Sequence, residues 1–99
     1  MKRKKLSPTM PGEILLHEFL KPMKISQYKL AKAIQVSQIR ISQIIKGNRA
    51  ITPDTALRLS RYFGTSPELW MDLQTAYDLK IAARDSGEKI EAGISPRAA

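Results

Sequence analysis

The chain has 99 residues, no cysteine, one histidine and a net charge of +8, a length that suits one domain with a single modest core. The composition excludes disulfides, thiolate metal sites and cysteine nucleophiles, leaves only one histidine toward a protein-only zinc site, which disfavours one, and suits a reducing cytoplasm. The charge is lopsided: residues 1–49 carry eleven Lys/Arg against Glu13 and Glu18, net +9, whereas residues 50–99 carry six against seven acids, net −1. A basic half of this kind suits the neutralisation of nucleic-acid phosphates. An anionic membrane surface could attract the same charge, but no apolar run approaches the ~18 residues of a span. Nor does an apolar stretch follow the basic start, so neither insertion nor secretion is supported.

Residues 1–9, MKRKKLSPT, are basic and turn-rich. They predict a flexible arm, either a solvated tail or one that touches DNA phosphates. Pro11 suits the first position of a helix, and Glu13 lies near the positive end of its dipole. The first helix is predicted to run to about Leu20, with Ile14, Leu15, Leu16, Phe19 and Leu20 as a wide apolar surface and Lys21-Pro22 as its stop. His17 belongs to the charged side, next to Glu18, as a surface residue.

Ser26 to Arg49, SQYKLAKAIQVSQIRISQIIKGNR, holds two short helical patterns with only a tight connection between them. Ser26 can cap the first, which carries Tyr28, Leu30, Ala31 and Ile34 at helical spacing. Ser37 can cap the second, which carries Ile41, Ile44 and Ile45 and is closed by Gly47. Gln35-Val36-Ser37 allows only a sharp turn, and the small Ala31 lets the helices cross closely. This is the helix-turn-helix, the unit that lays its second helix in the DNA major groove.

At about 100° per residue, the isoleucine stripe of the second helix puts Ile39, Ser42, Gln43 and Lys46 on the opposite face, with Gln38 and Arg40 on the flanks. Gln can bond adenine N6 and N7 together, Arg can bond guanine O6 and N7, and an exposed Ile can lie against a thymine methyl. The plainer alternative is an ordinary solvated helix face. Asn48 and Arg49 then follow in a loop that would lie beside the DNA backbone as phosphate donors.

Thr52-Pro53-Asp54 is a helix start with a cap, a proline at the first position and an acid in the first turn. The fourth helix is predicted to place Ala56, Leu57, Leu59 and Phe63 in the core and to end at Gly64. Ser66-Pro67-Glu68 repeats the start signal. The fifth helix carries Leu69, Trp70, Leu73, Tyr77 and Ile81, the stripe of a helix that packs on two sides, and weakens at Ser86-Gly87. Trp70 suits the core, yet aromatics also anchor interfaces. Leu69 or Trp70, together with Leu73 and Tyr77, is therefore the predicted self-association face. Residues 10–85 make the folded domain, and 86–99 are predicted to be a disordered tail.

The order PGEIL, SQYKLAKAI and then VSQIRISQIIKGNRAITPDTALRLSRYFGTSPELWMDLQTAYDL, from about Pro8 to Leu79, resembles the HigA/VapI-type antitoxin subgroup of the lambda-repressor-like, XRE-type helix-turn-helix family. Arg49-Ala50-Ile51-Thr52, Ala56-Leu57-Arg58-Leu59 and Gly64-Thr65-Ser66-Pro67 are similar to that subgroup in particular. So is Leu73-Gln74 with Tyr77-Asp78-Leu79. The resemblance implies an all-α, five-helix DNA-binding antitoxin that represses its operon as a homodimer and pairs with a small RelE-like (HigB-type) ribonuclease toxin. By motif position it also implies that Gln27 holds a phosphate and that Gln38, Ile39 and Gln43 face bases. Ser37, Arg40, Ser42, Lys46, Asn48 and Arg49 would supply phosphate or flanking contacts. Two positions depart from the family. Met10 stands where it often has histidine, and Gln35 where it often has a turn glycine, at a cost of roughly 1 kcal/mol if φ is positive there.

The leading functional expectation is a sequence-specific, non-enzymatic DNA-binding antitoxin without cofactor or metal. A stand-alone XRE-type regulator without a toxin is the alternative within the same class. An enzyme is disfavoured because there is no phosphate-cradling glycine loop, no metal constellation and no cysteine. A basic surface protein without sequence preference is the third possibility.

Overall fold

The computed structural model describes residues 9–98, which form five helices and, within those residues, no strand. The first, α1, is continuous from Pro11–Ile14 through a π-helical stretch, Leu15–Leu20, to Lys21–Met23. The second, α2, is Gln27–Ile34, and α3 is Gln38–Ile45. Two longer helices follow, α4 at Pro53–Phe63 and α5 at Pro67–Gly93. The basic arm lies outside the described residues except for Thr9.

Four of the starts are capped as their side chains dictate. The Oγ of Ser26 accepts from Lys29 N–H at 3.0 Å, that of Ser37 from Arg40 N–H at 3.1 Å, Thr52 Oγ1 from Thr55 N–H at 3.4 Å, and Ser66 Oγ from Leu69 N–H at 3.2 Å. Each bond satisfies one of the amide donors that a helix start leaves unpaired.

Lys21-Pro22 does not stop α1. Proline lacks an N–H, and its ring would collide with the carbonyl one α-turn back. The widened π turn, in which Lys21 N–H donates to the Leu16 carbonyl, relieves that crowding and carries the chain on to Met23. Lys24 then reverses the chain at φ 56°, and Ile25 N–H closes onto the Leu20 carbonyl at 2.9 Å.

The far end of α5 also differs from expectation. Residues 86–93, expected in the tail, are helical, and only 94–98 lack regular structure. A single interior glycine such as Gly87 costs about 1 kcal/mol, less than the surrounding helix formers, among them Ala83, Glu88 and Lys89, recover by propagation.

The core joins all five helices through Leu15, Leu20, Leu30, Ile34, Ile41, Ile44, Leu59 and Trp70, with Ile51 contributed by the loop after α3. Phe19, Phe63 and Trp70 close it on one side, with the Phe19 centroid 4.9 Å from each of the other two rings. Trp70 is 0% exposed and its Nε1 donates to Thr65 Oγ1 at 2.8 Å. It is core, so its place in the expected self-association face is corrected: no surface of it is left for a partner. Leu57, expected in the core, is 60% exposed. The buried side of α4 runs through Ala56, Leu59 and Ser60, and Leu57 projects about 100° away from Ala56. Tyr28 is likewise outside the core, with Lys32 Nζ 5.6 Å from its ring centroid.

Candidate nucleic-acid interface

The helix-turn-helix is held together at close quarters. A Cβ on Gly12 of α1 would collide with the Ile44 carbonyl oxygen of α3, so the backbones touch where only glycine fits. Gln35, in the turn, adopts the left-handed conformation with φ 61° and ψ 48°. The turn expected of a glycine thus forms with a glutamine, and its geometry is held from outside. Arg58 Nη1 donates to the Ile34 carbonyl at 2.9 Å and to the Gln35 carbonyl at 3.3 Å.

Asp54 completes this brace. Its Oδ2 accepts from Arg58 Nε at 2.9 Å and from Arg40 Nη1 at 3.2 Å, linking α4 to the first turn of α3. The hydrogen bond from Arg58 is the main cause that lowers the Asp54 carboxyl below its ordinary 3.8, opposed by desolvation and reinforced by the charges of both arginines. Arg40, expected beside DNA, therefore spends one donor on Asp54 and keeps its remaining N–H groups for another acceptor.

With Ile41 and Ile44 buried against the core, α3 turns Gln38 and Ile39 outward, Ile39 at 68% exposure. Ser42 and Gln43, expected on the face opposite the isoleucines, are half-buried, as Ile45 is, and Lys46 is exposed. Gln27, the first residue of α2, is half-buried, and the Ser37 hydroxyl is engaged as the α3 cap.

The end of α3 is a Schellman turn. Asn48 N–H reaches back to the Gln43 carbonyl at 2.8 Å, Gly47 N–H to the Ile44 carbonyl at 3.1 Å, and Gly47 has φ 81°. A Cβ on Gly47 would collide with the sulfur of Met10, so Met10 lies over that turn. The reversal brings Arg49 back alongside α3, where its Nη1 donates to Gln43 Oε1 at 3.2 Å. Asn48 and Arg49 are exposed.

Below the loop, Gln74 of α5 is buried. Its Oε1 accepts from Ile51 N–H at 2.8 Å and its Nε2 donates to Asp78 Oδ1 at 2.9 Å. Three of these roles are absent from the sequence-based expectations: the Arg58–Asp54 brace, the Arg49–Gln43 contact and the Gln74 anchor. Only the first has a sequence signal, an acid and an arginine four residues apart at the start of a helix. Among the described residues, no group of three or more His, Asp or Glu is placed to hold a metal, and no helix is long and apolar enough to cross a membrane.

Five helices around one core, with a capped α3 presenting glutamines, an isoleucine and a lysine to solvent, define a lambda-repressor-like DNA-binding domain. The sequence matches the family described as Helix-turn-helix over residues 16–70. It is 57% identical over 75 residues to virulence-associated protein I of Dichelobacter nodosus, covering 76% of this chain and 69% of that one. Among solved structures it is similar to an addiction module antidote protein of the HigA family from Coxiella burnetii, with 47% identity, a TM-score of 0.88 and coverage of 93% of this chain and 100% of that one. It is also similar to the Pseudomonas aeruginosa antitoxin HigA with the higBA promoter, with 44% identity, a TM-score of 0.89 and coverage of 92% and 99%. The chain belongs to the XRE-type helix-turn-helix family and, within it, to the HigA/VapI-type antitoxins, which are DNA-binding and non-enzymatic.

Proposed function

We propose that the protein binds operator DNA through α3 as a homodimer, represses its own operon, and neutralises a small RelE-like, HigB-type ribonuclease toxin encoded beside it. The observation that carries the DNA half is the outward face of α3, flanked by the basic half of the chain. The Pseudomonas aeruginosa HigA of the same fold stands with its promoter. In this reading Gln38, Ile39 and Gln43 meet base edges. Gln27, Ser37, Arg40, Ser42, Lys46, Asn48 and Arg49 meet phosphates or flanking groups. Dimerisation follows from need: one recognition helix covers too few base pairs for a unique site, and two-fold proteins read half-sites about one helical turn, ~34 Å, apart. The toxin half rests on family membership.

The test has two arms. Fluorescence anisotropy with the duplex upstream of this reading frame should show tighter binding than a scrambled duplex, with affinity falling steeply as salt rises. Co-expression with the neighbouring reading frame should yield a stable complex and suppress the RNA cleavage that the neighbour shows alone. Equal affinity for both duplexes would overturn the operator reading. Selective DNA binding without any such neighbour would leave a stand-alone regulator.

A further inference from the structure

We infer that Met10 is an oxidation site, at which a peroxide converts the thioether to the sulfoxide and thereby loosens the loop that follows α3. The residue stands at the start of α1, where its N–H donates to Glu13 Oε1 at 3.4 Å. Its side chain crosses to the C-terminal end of α3 and lies on Gly47, in the space that a Cβ there would need. The contact is apolar, a thioether against the bare backbone of the glycine that holds the Schellman turn at φ 81°. Glycine offers no side chain of its own to cover that turn.

Met10 is half-buried and borders an open cavity of about 180 Å3 shared with Asn48, Arg49, Gln74 and Tyr77, wide enough to admit hydrogen peroxide, a molecule little larger than water. In the reaction a sulfur lone pair attacks one peroxide oxygen, the O–O bond breaks, and the products are the sulfoxide and water; sulfur loses two electrons and the peroxide gains them. The new oxygen is a strong hydrogen-bond acceptor on a group that had packed as a hydrocarbon. It cannot stay against Gly47, and the backbone cannot shift to make room, since Pro11 has a fixed φ and Gly12 already lies against the Ile44 carbonyl. The side chain swings out to water instead, and the turn that carries Asn48 and Arg49 loses its cover. Met23, although 51% exposed, stands at the opposite end of α1 and serves as the control.

Because the effect on DNA rests on the operator reading, the loop is also followed directly. Wild type, Met10→Leu and Met23→Leu would be treated with hydrogen peroxide and mapped by peptide mass spectrometry. Hydrogen exchange at the Asn48 amide, which is bonded to the Gln43 carbonyl, and anisotropy with the duplex upstream of the reading frame would then be measured on each. Wild type and Met23→Leu should gain one oxygen on Met10, exchange Asn48 faster, and bind the duplex roughly fivefold or more weakly, as the loop's phosphate contacts are lost from each half-site. Methionine sulfoxide reductase should restore both readouts. Oxidation of Met71, which packs against the core, would act on all three proteins alike, so the smaller response of Met10→Leu isolates Met10. A Met10 that stays unoxidised while Met23 is converted would overturn the inference, as would a Met10 sulfoxide with unchanged Asn48 exchange. So would a Met10→Leu protein that loses as much as wild type. Reduction of the Met10 sulfoxide without recovery of Asn48 protection would overturn it too, and needs no variant. Equal affinity of the untreated protein for operator and scrambled duplex would remove the operator reading, and Asn48 exchange alone would then decide on Met10.

Discussion

Arg58 Nη1 lies 2.9 Å from the carbonyl oxygen of Ile34, a residue of the preceding motif 24 positions earlier in the chain. The contact joins α4 to the last turn of α2, where helix carbonyls lack amide partners. It also explains how a glutamine occupies a left-handed turn. The same guanidinium binds the Gln35 carbonyl, and Asp54 holds Arg58 in place from the other side. The angle between α2 and α3, on which any docking into a groove depends, is thus fixed from α4.

Removing the brace with Arg58→Ala should lower stability by roughly 1–2 kcal/mol, since a charged donor to two carbonyls is lost at a partly solvated site. Gln35→Gly should do the opposite and raise stability by up to ~1 kcal/mol, because glycine meets no penalty at φ 61°. Urea unfolding of both variants measures each change. A Gln35→Gly protein less stable than wild type would show that the glutamine side chain contributes more than its backbone costs.

Asp54 links the same brace to pH. Its folded value is depressed, chiefly by the Arg58 hydrogen bond, so its contribution is fully present above the ordinary 3.8 and is lost as pH falls through the lower folded value. Asp54→Asn should therefore flatten the loss of stability on acidification in that window and leave the slope near neutral pH unchanged. Denaturation midpoints measured from pH 2 to 7 on both proteins test this; parallel curves would remove Asp54 from the acid response.

Much of this arrangement was legible in the sequence because it is local. Ser26, Ser37, Thr52 and Ser66 each start a helix as capping residues do, and Gly47 and Gly64 end helices at positive φ. The outward set on α3 follows from the spacing of Ile41 and Ile44 alone. What periodicity could not supply depends on contacts distant in sequence. Nothing local distinguishes Gln74, buried against Ile51, from the exposed Gln38, because the partner is 23 residues away. Leu57 lies outside the core because the direction of the α4 stripe, and not hydrophobic identity, decides burial. Pro22 lies inside α1, against the local signal for a stop, because the π turn that accommodates it has no sequence signature.

Gln74 should be intolerant of substitution for the same reason. Gln74→Leu leaves the Ile51 N–H buried without an acceptor, at a cost of about 1–3 kcal/mol, and unpins the loop that follows α3. Thermal unfolding reads the first effect. Hydrogen exchange at Ile51 reads the second, and protection equal to wild type there would show that another acceptor takes over.

On DNA, Gln38→Ala and Lys46→Ala should separate. Gln38 faces outward at the start of α3, and its loss should relax discrimination between operator and scrambled duplex by roughly 1–3 kcal/mol. Lys46→Ala should weaken both duplexes alike and reduce the slope of log affinity against log salt by about one. Anisotropy titrations at several salt concentrations distinguish them. If Gln38→Ala weakens both duplexes equally, Gln38 is not a base reader.

The contact of the proposed dimer can be sought on α5. Leu73 and Tyr77 are half-buried against the domain, so a charge there threatens the fold itself. Leu69, Leu79 and Ile90 instead fall within one sector of about 80° around the helix. Leu79 is 66% exposed and Ile90 51%. Burying such side chains against a symmetry mate removes apolar area from water at roughly 25 cal/mol per Å², and a two-fold contact along a rigid helix would fix the separation of the two α3 helices. Leu79→Asp should accordingly give a folded monomer whose affinity for the full operator drops toward that for one half-site. Sedimentation velocity and circular dichroism read the two requirements together. A Leu79→Asp protein that remains a dimer with wild-type operator affinity would place the contact off this sector, with the 48–50 loop beside α3 as the next surface to probe.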